Sequence, residues 1–461
     1  MWPALDKETV LSKVINNVDI FRINLWHGDE DTKKKYINMV VKLDSSKTIL
    51  LDTKGPEIRT RNKEELFLEE GEDIIVEFSE SFKDSDDILY IDYHKTDDLP
   101  VWTILEIDSG SIILEITKNN KNRIIAKIVT WGMILINRQI EFEWYIPDLP
   151  FLWEKDKKHI VRGIEHQVNA ISVSFTKSGH DIKMIKSFLN TVDGQFLRVI
   201  AKIETVEALE DSQSLIEEAD GIIMNEKKLL ILLWDKKKVD AKKEEIMLLC
   251  HTIWKPVVII SELETSSEEK TLGQQKDFIK KNLSIWCDAF MLTRTSAVSE
   301  FTVDNILELY EIVNLESNKP IKTDYKLSDL PPSADSMISD YITFTAYRSA
   351  KELPIKAIIC PTESWYTPAR LSSLKPDIPI IAFTKNDAAY RYMNFLWGVK
   401  GYKIAPSFEY TSIKEIGKEI IRILFKGNIS LDDKILIVHS SLEQNTPGMI
   451  NGMELYKFKD I

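Results

Sequence analysis

Residues 51–60 read LDTKGPEIRT, directly behind the apolar run TIL at 48–50. A short apolar run that ends in an acid and a Gly-Pro turn reads as a buried strand whose carboxyl end opens onto polar chemistry. Asp52, Lys54, Glu57 and Arg59 crowd that end. Two readings of the crowding are open: a ligand site, or a hydrogen-bonded network that persists because a buried charge is expensive to leave unpaired.

Outward from this strand the chain alternates. KETVLSKVINN (7–17) has apolar residues at helical spacing, VDIFRINL (18–25) is strand-like, and DEDTKKKYINMVVKL (29–43) is helical again. The rhythm predicts a β/α architecture on a parallel sheet. Residues 61–145 change character, with short β-rich runs such as DIIVEF (73–78), SIILEI (111–116) and RIIAKIV (123–129) broken by Asp, Asn and Gly. They predict a small β-barrel lid inserted into the first domain, which takes residues 1–60 and 146–325. The β/α rhythm then resumes through AISVSF (170–175), RVIAKIE (198–204), ADGIIM (219–224), PVVIIS (256–261) and CDAFML (287–292). Strands with polar carboxyl ends read as a β/α barrel. After the break LSDLPPSADS (327–336), residues 326–461 predict a third, α/β domain.

Composition narrows the function classes. The chain has 461 residues, too many for one core, with 60 basic against 73 acidic residues and a net charge of -13. The lysines are mixed with acids, so nucleic acid is not an expected partner. Cys250, Cys287 and Cys360 form neither a disulfide framework nor a zinc spacing, which suits the cytoplasm. The sequence predicts no signal peptide and no membrane segment. Only 16 glycines are present, so loops that let a backbone approach phosphate are few.

The decapeptide, followed in order by VIAKIE (199–204), ADGIIM, KPVV (255–258) and TES (362–364) and preceded by FRINLWHG (21–28), resembles the pyruvate kinases across nearly the whole chain. That resemblance implies a β/α barrel with an inserted β-barrel lid and a C-terminal α/β domain. It also implies transfer of a phosphoryl group from phosphoenolpyruvate to ADP, with Mg²⁺ and K⁺ serving active members. By the resemblance Arg22 and Arg59 contact phosphate, and Asn24, Asp52 and Thr53 lie at the K⁺ site. His27 faces the nucleotide, Lys202 stabilises the moving phosphoryl group, and Glu204 is one of two Mg²⁺ carboxylates.

Other positions depart from the family's pattern. Its Ala-Arg-Gly-Asp becomes NEKK (225–228), placing Glu226 and Lys227 in the substrate loop and Lys228 where the second metal carboxylate belongs. An ammonium has only donors and the wrong sign for a hard cation. An internal pair between Lys228 and Glu204 is therefore expected where the metal would be. Trp26 replaces a cation-site serine. Ser261 stands in for the threonine that supports enolate protonation, and TRTSA (293–297), with Thr295, loses a glycine and an acid. Trp254, Trp286 and Trp365 fall where the family has serine or glycine. The loop that takes a sugar-phosphate effector in some members reads Thr362, Glu363, Ser364, Trp365, Tyr366, Thr367 and loses its glycine. MWPALDKETV aligns just after the family's first barrel strand, so that strand is either absent or replaced by an irregular segment. The expectation is a non-catalytic subunit that binds neither metal well and assembles with an active pyruvate kinase paralogue in a mixed tetramer. An active kinase with an altered metal site and a free-standing nucleotide-binding protein are the alternatives.

Overall fold

A computed structural model of the chain describes residues 3–25, 30–53, 55, 58–108, 110–120, 123–143, 151–261, 269–292, 302–317, 337–407, 410–425, 428–439 and 450–460. They divide into two compact units, 1–54 with 154–461, and 55–153.

The first unit opens with helical turns at Pro3–Leu5, Glu8–Leu11 and Ile15–Asn17, which bury Leu11, Val14 and Ile15. No strand precedes Ile20 among the described residues. Its main sheet begins with β1 (Ile20–Asn24) and β2 (Thr48–Asp52), joined by the helix Glu30–Leu43. Every residue of β2 is buried, as a strand covered on both faces requires.

The second unit carries β3 (Ile58–Arg59), β4 (Leu66–Leu68), β5 (Asp73–Phe78), β6 (Ile88–Ile91), β7 (Ile104–Ile107), β8 (Ile112–Asn119), β9 (Ile124–Ile128), β10 (Gly132–Ile134) and β11 (Gln139–Glu143). Seven of these form one sheet in the order β3-β11-β7-β8-β9-β5-β6, and β4 pairs with β10 in a separate ribbon. Alternate residues such as Ile74, Val76, Leu105, Leu114 and Ile116 point into a common core.

The chain returns to the first unit with β12 (Ala170–Val173), β13 (Arg198–Ile203), β14 (Gly221–Asn225), β15 (Val257–Ser261) and β16 (Ala289–Leu292). The order β1-β2-β12-β13-β14-β15-β16 is parallel throughout, as a curled barrel sheet demands, with β1 and β16 at its edges. A capping box between Ser178 and Asp181 starts the helix Gly179–Thr191. Thr205 and Asn225 cap the helices that follow β13 and β14.

The last segment adds β17 (Ile355–Pro361), β18 (Ile380–Thr384), β19 (Val399–Lys403), β20 (Lys434–His439) and β21 (Gly452–Lys457). Their order is β19-β18-β17-β20-β21, with only β21 antiparallel. Its helices rest on the barrel: Tyr392 Oη donates to Asp220 O at 2.5 Å, Thr48 Oγ1 donates to Arg391 O at 2.7 Å, and Lys375 pairs with Asp288 at 2.5 Å. No helix of the described residues is long and apolar enough to cross a membrane.

Candidate active site

The carboxyl ends of β1, β2, β12 and β13 converge on one buried charge cluster. Parallel register aligns Asn24 with Asp52, and Asp52 with Ser172. Thr53 follows at the end of β2, where its amide donates to Ser172 O at 2.9 Å.

Asp52 is the hub, 2 % exposed. Arg22 donates to Oδ2 from Nε at 2.7 Å and also from Nη2. Ser172 Oγ donates to Oδ1 at 2.6 Å, and the Lys202 ammonium stands 3.6 Å from the same oxygen. Burial resists ionisation of Asp52, but the charges of Arg22 and Lys202 and the hydrogen bonds from Ser172 and Arg22 override it, holding the carboxyl below its ordinary value.

Lys202 is shared. Its Nζ lies 3.0 Å from Glu204 Oε1 and donates to Ser174 Oγ at 3.0 Å. Ser174 passes the bond on to Thr53 O at 2.9 Å. Burial disfavours the ammonium, yet the Asp52 and Glu204 carboxylates outweigh it and raise the lysine above its ordinary value. Two cations and two anions thus sit together at the sheet's carboxyl edge.

The cluster joins four residues anticipated from sequence, Arg22, Asp52, Lys202 and Glu204, and places Asn24 and Thr53 beside them. Ser172 and Ser174 were not anticipated. Their signal is the polar alternation within AISVSF, which puts both hydroxyls on one face of an otherwise apolar strand.

Residues 226–228, expected from the resemblance to form the substrate loop, lie in a helix and look elsewhere. Glu226 accepts from Lys243 at 2.8 Å and from Lys236, tying the helix Glu226–Leu233 to the helix Lys236–Thr252. The amides of Lys227 and Lys228 cap onto Asn225 Oδ1, and the Lys228 ammonium lies 5.8 Å from the Phe175 ring centre. The expected Glu204–Lys228 pair is not among the ion pairs of the described residues. Glu204 is instead held by Lys202, two residues before it in the chain, whereas Lys228 sits in the first turn of the next helix.

Ser261 is buried at the end of β15. Arg59 belongs to the second unit, where its amide donates to Asp92 Oδ1 at 2.6 Å and its guanidinium to Asn137 O at 2.7 Å. Trp26, His27, Lys54, Glu57 and Thr295 lie outside the described residues.

Residues 362–367, expected from the resemblance to match an effector loop, form a folded turn. Thr362 donates its hydroxyl to Ser364 O, and its amide donates to Phe383 O at 2.8 Å. Glu363 is exposed and Thr367 is buried. The Trp365 ring packs 4.8 Å from Tyr392, with the Arg198 guanidinium of β13 within 5.8 Å of both rings. Tyr366 meets Trp254 edge-on at 5.6 Å.

Comparison with known proteins agrees with this architecture. Residues 1–306 match the family profile "Pyruvate kinase, barrel domain" and residues 340–456 match "Pyruvate kinase, alpha/beta domain". The chain is 26% identical over 471 residues to a pyruvate kinase of Bacillus licheniformis, covering 100% of this chain and 79% of that protein. It is also 26% identical over 466 residues to one from Clostridium acetobutylicum, covering 98% and 97%. The crystal structure of Cryptosporidium parvum pyruvate kinase superposes with a TM-score of 0.87 over 99% of this chain and 96% of that one, at 20% identity, a likeness of fold.

Proposed function

Because the chain belongs to the pyruvate kinase family of glycolytic phosphotransferases, we propose that it is a non-catalytic member that assembles with an active pyruvate kinase. The observation that carries this reading is the state of the metal carboxylates. Glu204 is in ion-pair contact with Lys202, and the family resemblance puts Lys228 where the second acid belongs.

The donor set does not fit a divalent cation. Such an ion needs anionic oxygens, and one carboxylate already neutralised by a lysine, with a lysine where the resemblance expects the second acid, is a poor host. The monovalent site is equally occupied by the chain's own groups: Oδ2 of Asp52 takes Arg22, and Oδ1 takes Ser172 and Lys202. The residues of the cluster therefore neutralise one another. What remains for chemistry is a protonated Lys202 held by Asp52, Glu204 and Ser174, able to attract an anion but matched in charge by its neighbours.

A coupled assay of the purified chain with phosphoenolpyruvate, ADP and Mg²⁺ or Mn²⁺ tests the reading. Background turnover is expected, since lost transition-state charge stabilisation of this kind removes several kcal/mol. Sustained turnover would favour the second reading, an active kinase with an altered metal site, which is supported by the persistence of Arg22, Asp52, Lys202 and Glu204 as one cluster. Lys228→Asp is expected to raise Mn²⁺ affinity without restoring turnover, because Glu226 and Lys227 still occupy the substrate loop.

A further inference from the structure

The β4–β10 ribbon of the second unit carries apolar side chains on both faces, unlike an ordinary half-buried strand pair. Leu66, Leu68 and Ile134 point into the core, as expected. The opposite face carries Phe67, exposed by 52%, directly across from Met133 at 47%. Along the β10 side, Trp131, Met133 and Leu135 alternate onto this face, and all three are exposed. An outward face of large apolar side chains marks a contact surface, because water would otherwise line it at a cost proportional to its area.

Charge identifies what the surface fits. Exposed glutamates stand one residue beyond either end of β4, Glu65 and Glu69, and each has an exposed acidic neighbour, Glu64 and Glu70. None of the four forms an ion pair with a described residue. In continuation of the register, Glu65 and Glu69 share the outer face with Phe67, about 13 Å apart at the usual strand rise. A second copy of the same face would bring these acids together, and an anionic lipid or nucleic acid would meet the same repulsion. We propose that the outer face of the β4–β10 ribbon docks a basic amphipathic segment of another polypeptide. Its apolar row would cover Trp131, Met133, Leu135 and Phe67, and its lysines or arginines would reach Glu65 and Glu69.

The test uses the full chain and a fluorescein-labelled 14-residue leucine–lysine peptide with its leucines on one helical face, compared with a peptide of the same composition whose leucines form no face. At about 0.15 M salt, where long-range attraction is screened, anisotropy should show saturable binding of the first peptide and at least tenfold weaker binding of the second. Met133→Glu and the double substitution Glu65→Lys with Glu69→Lys should each weaken binding at least tenfold. Glu415→Lys, an exposed acid of the other unit, should not. Because all the altered side chains are exposed, circular-dichroism melts should superimpose, and Phe67→Ser provides a second apolar test. Equal binding of both peptides, or affinity indifferent to these substitutions, would overturn the proposal. So would a dimer in sedimentation that Met133→Glu dissolves, which would give the face to a second copy. Binding to phosphatidylcholine vesicles that is lost in the same variant would give it to lipid instead.

Discussion

Asp52 shows how much a single residue of this cluster supports. Its carboxylate is the common partner of Arg22 and Lys202, so Asp52→Asn leaves two buried or half-buried cations short of charge and is expected to destabilise the chain by about 3 to 5 kcal/mol, read from the urea midpoint. The sign with pH follows from the depressed carboxyl. Its contribution is present above the unfolded value, about 3.9, and drains as pH falls through the lower folded value. A second titration lies in the same unit. His251 stacks on Trp286 at 4.9 Å, and burial with the nearby Lys375 charge lowers it to about 4. The unfolded chain then takes up this proton first as pH drops, so stability falls by up to about 3 kcal/mol between the ordinary histidine value and about 4. His251→Phe should flatten that limb in urea melts collected from pH 7 to about 4, and an unchanged slope would discard the assignment.

At the scale of elements, the tryptophans are placed by backbone as much as by bulk. Trp234 ends the helix Glu226–Leu233 in the left-handed conformation, φ 52, with its ring 85% exposed, while Trp254 and Trp286 adopt φ 59 and 69. Glycine takes this conformation freely and a side chain does not, by about 1 kcal/mol. Trp254 and Trp286 offset that strain by contact, one with the Arg370 guanidinium 3.9 Å from its ring centre and the other with His251. Trp234 has little contact to lose, so Trp234→Gly is expected to raise the melting temperature, by an amount worth about 0.5 to 1 kcal/mol. The loop at 362–367 uses its tryptophan differently. Trp365, at the N-terminus of the helix Tyr366–Ser373, joins Tyr392 and Arg198 across the boundary between barrel and last sheet. Trp365→Ala should cost about 2 to 3 kcal/mol, less than a fully buried aromatic, and should speed amide exchange across 362–373.

For the whole molecule, both family profiles are matched, and the subunit reading rests on the expectation, drawn from the resemblance, that a metal carboxylate and the substrate loop are replaced. Retention of the body without those parts is what assembly with a catalytic relative tolerates. Co-expression with a motif-complete pyruvate kinase should yield mixed tetramers by native mass spectrometry, with altered sigmoidality per active chain, since each subunit of such a tetramer would share its conformational equilibrium. Exclusive homo-oligomers of both proteins would end the subunit reading and leave the ribbon-docking proposal standing, because that face is tested by peptide binding alone.

The sequence by itself determined the order of elements. Its apolar runs and helical spacings are local, and the parallel barrel sheet, the β lid and the last α/β sheet follow from their alternation. It also singled out Arg22, Asp52, Lys202 and Glu204 through recognisable motifs, and the fold brings these four into one charge cluster. Only the tertiary structure decided who pairs with whom. Arg22 and Lys202 meet at Asp52, and Glu226 turns to Lys243, choices set by the register of neighbouring strands and the packing of successive helices, which residue spacing along the chain does not encode. The roles of Ser172 and Ser174 and the left-handed seats of the tryptophans were hidden for the same reason: hydrogen-bond partners and ring contacts come from strands and helices tens of residues away, brought together only when the sheet curls.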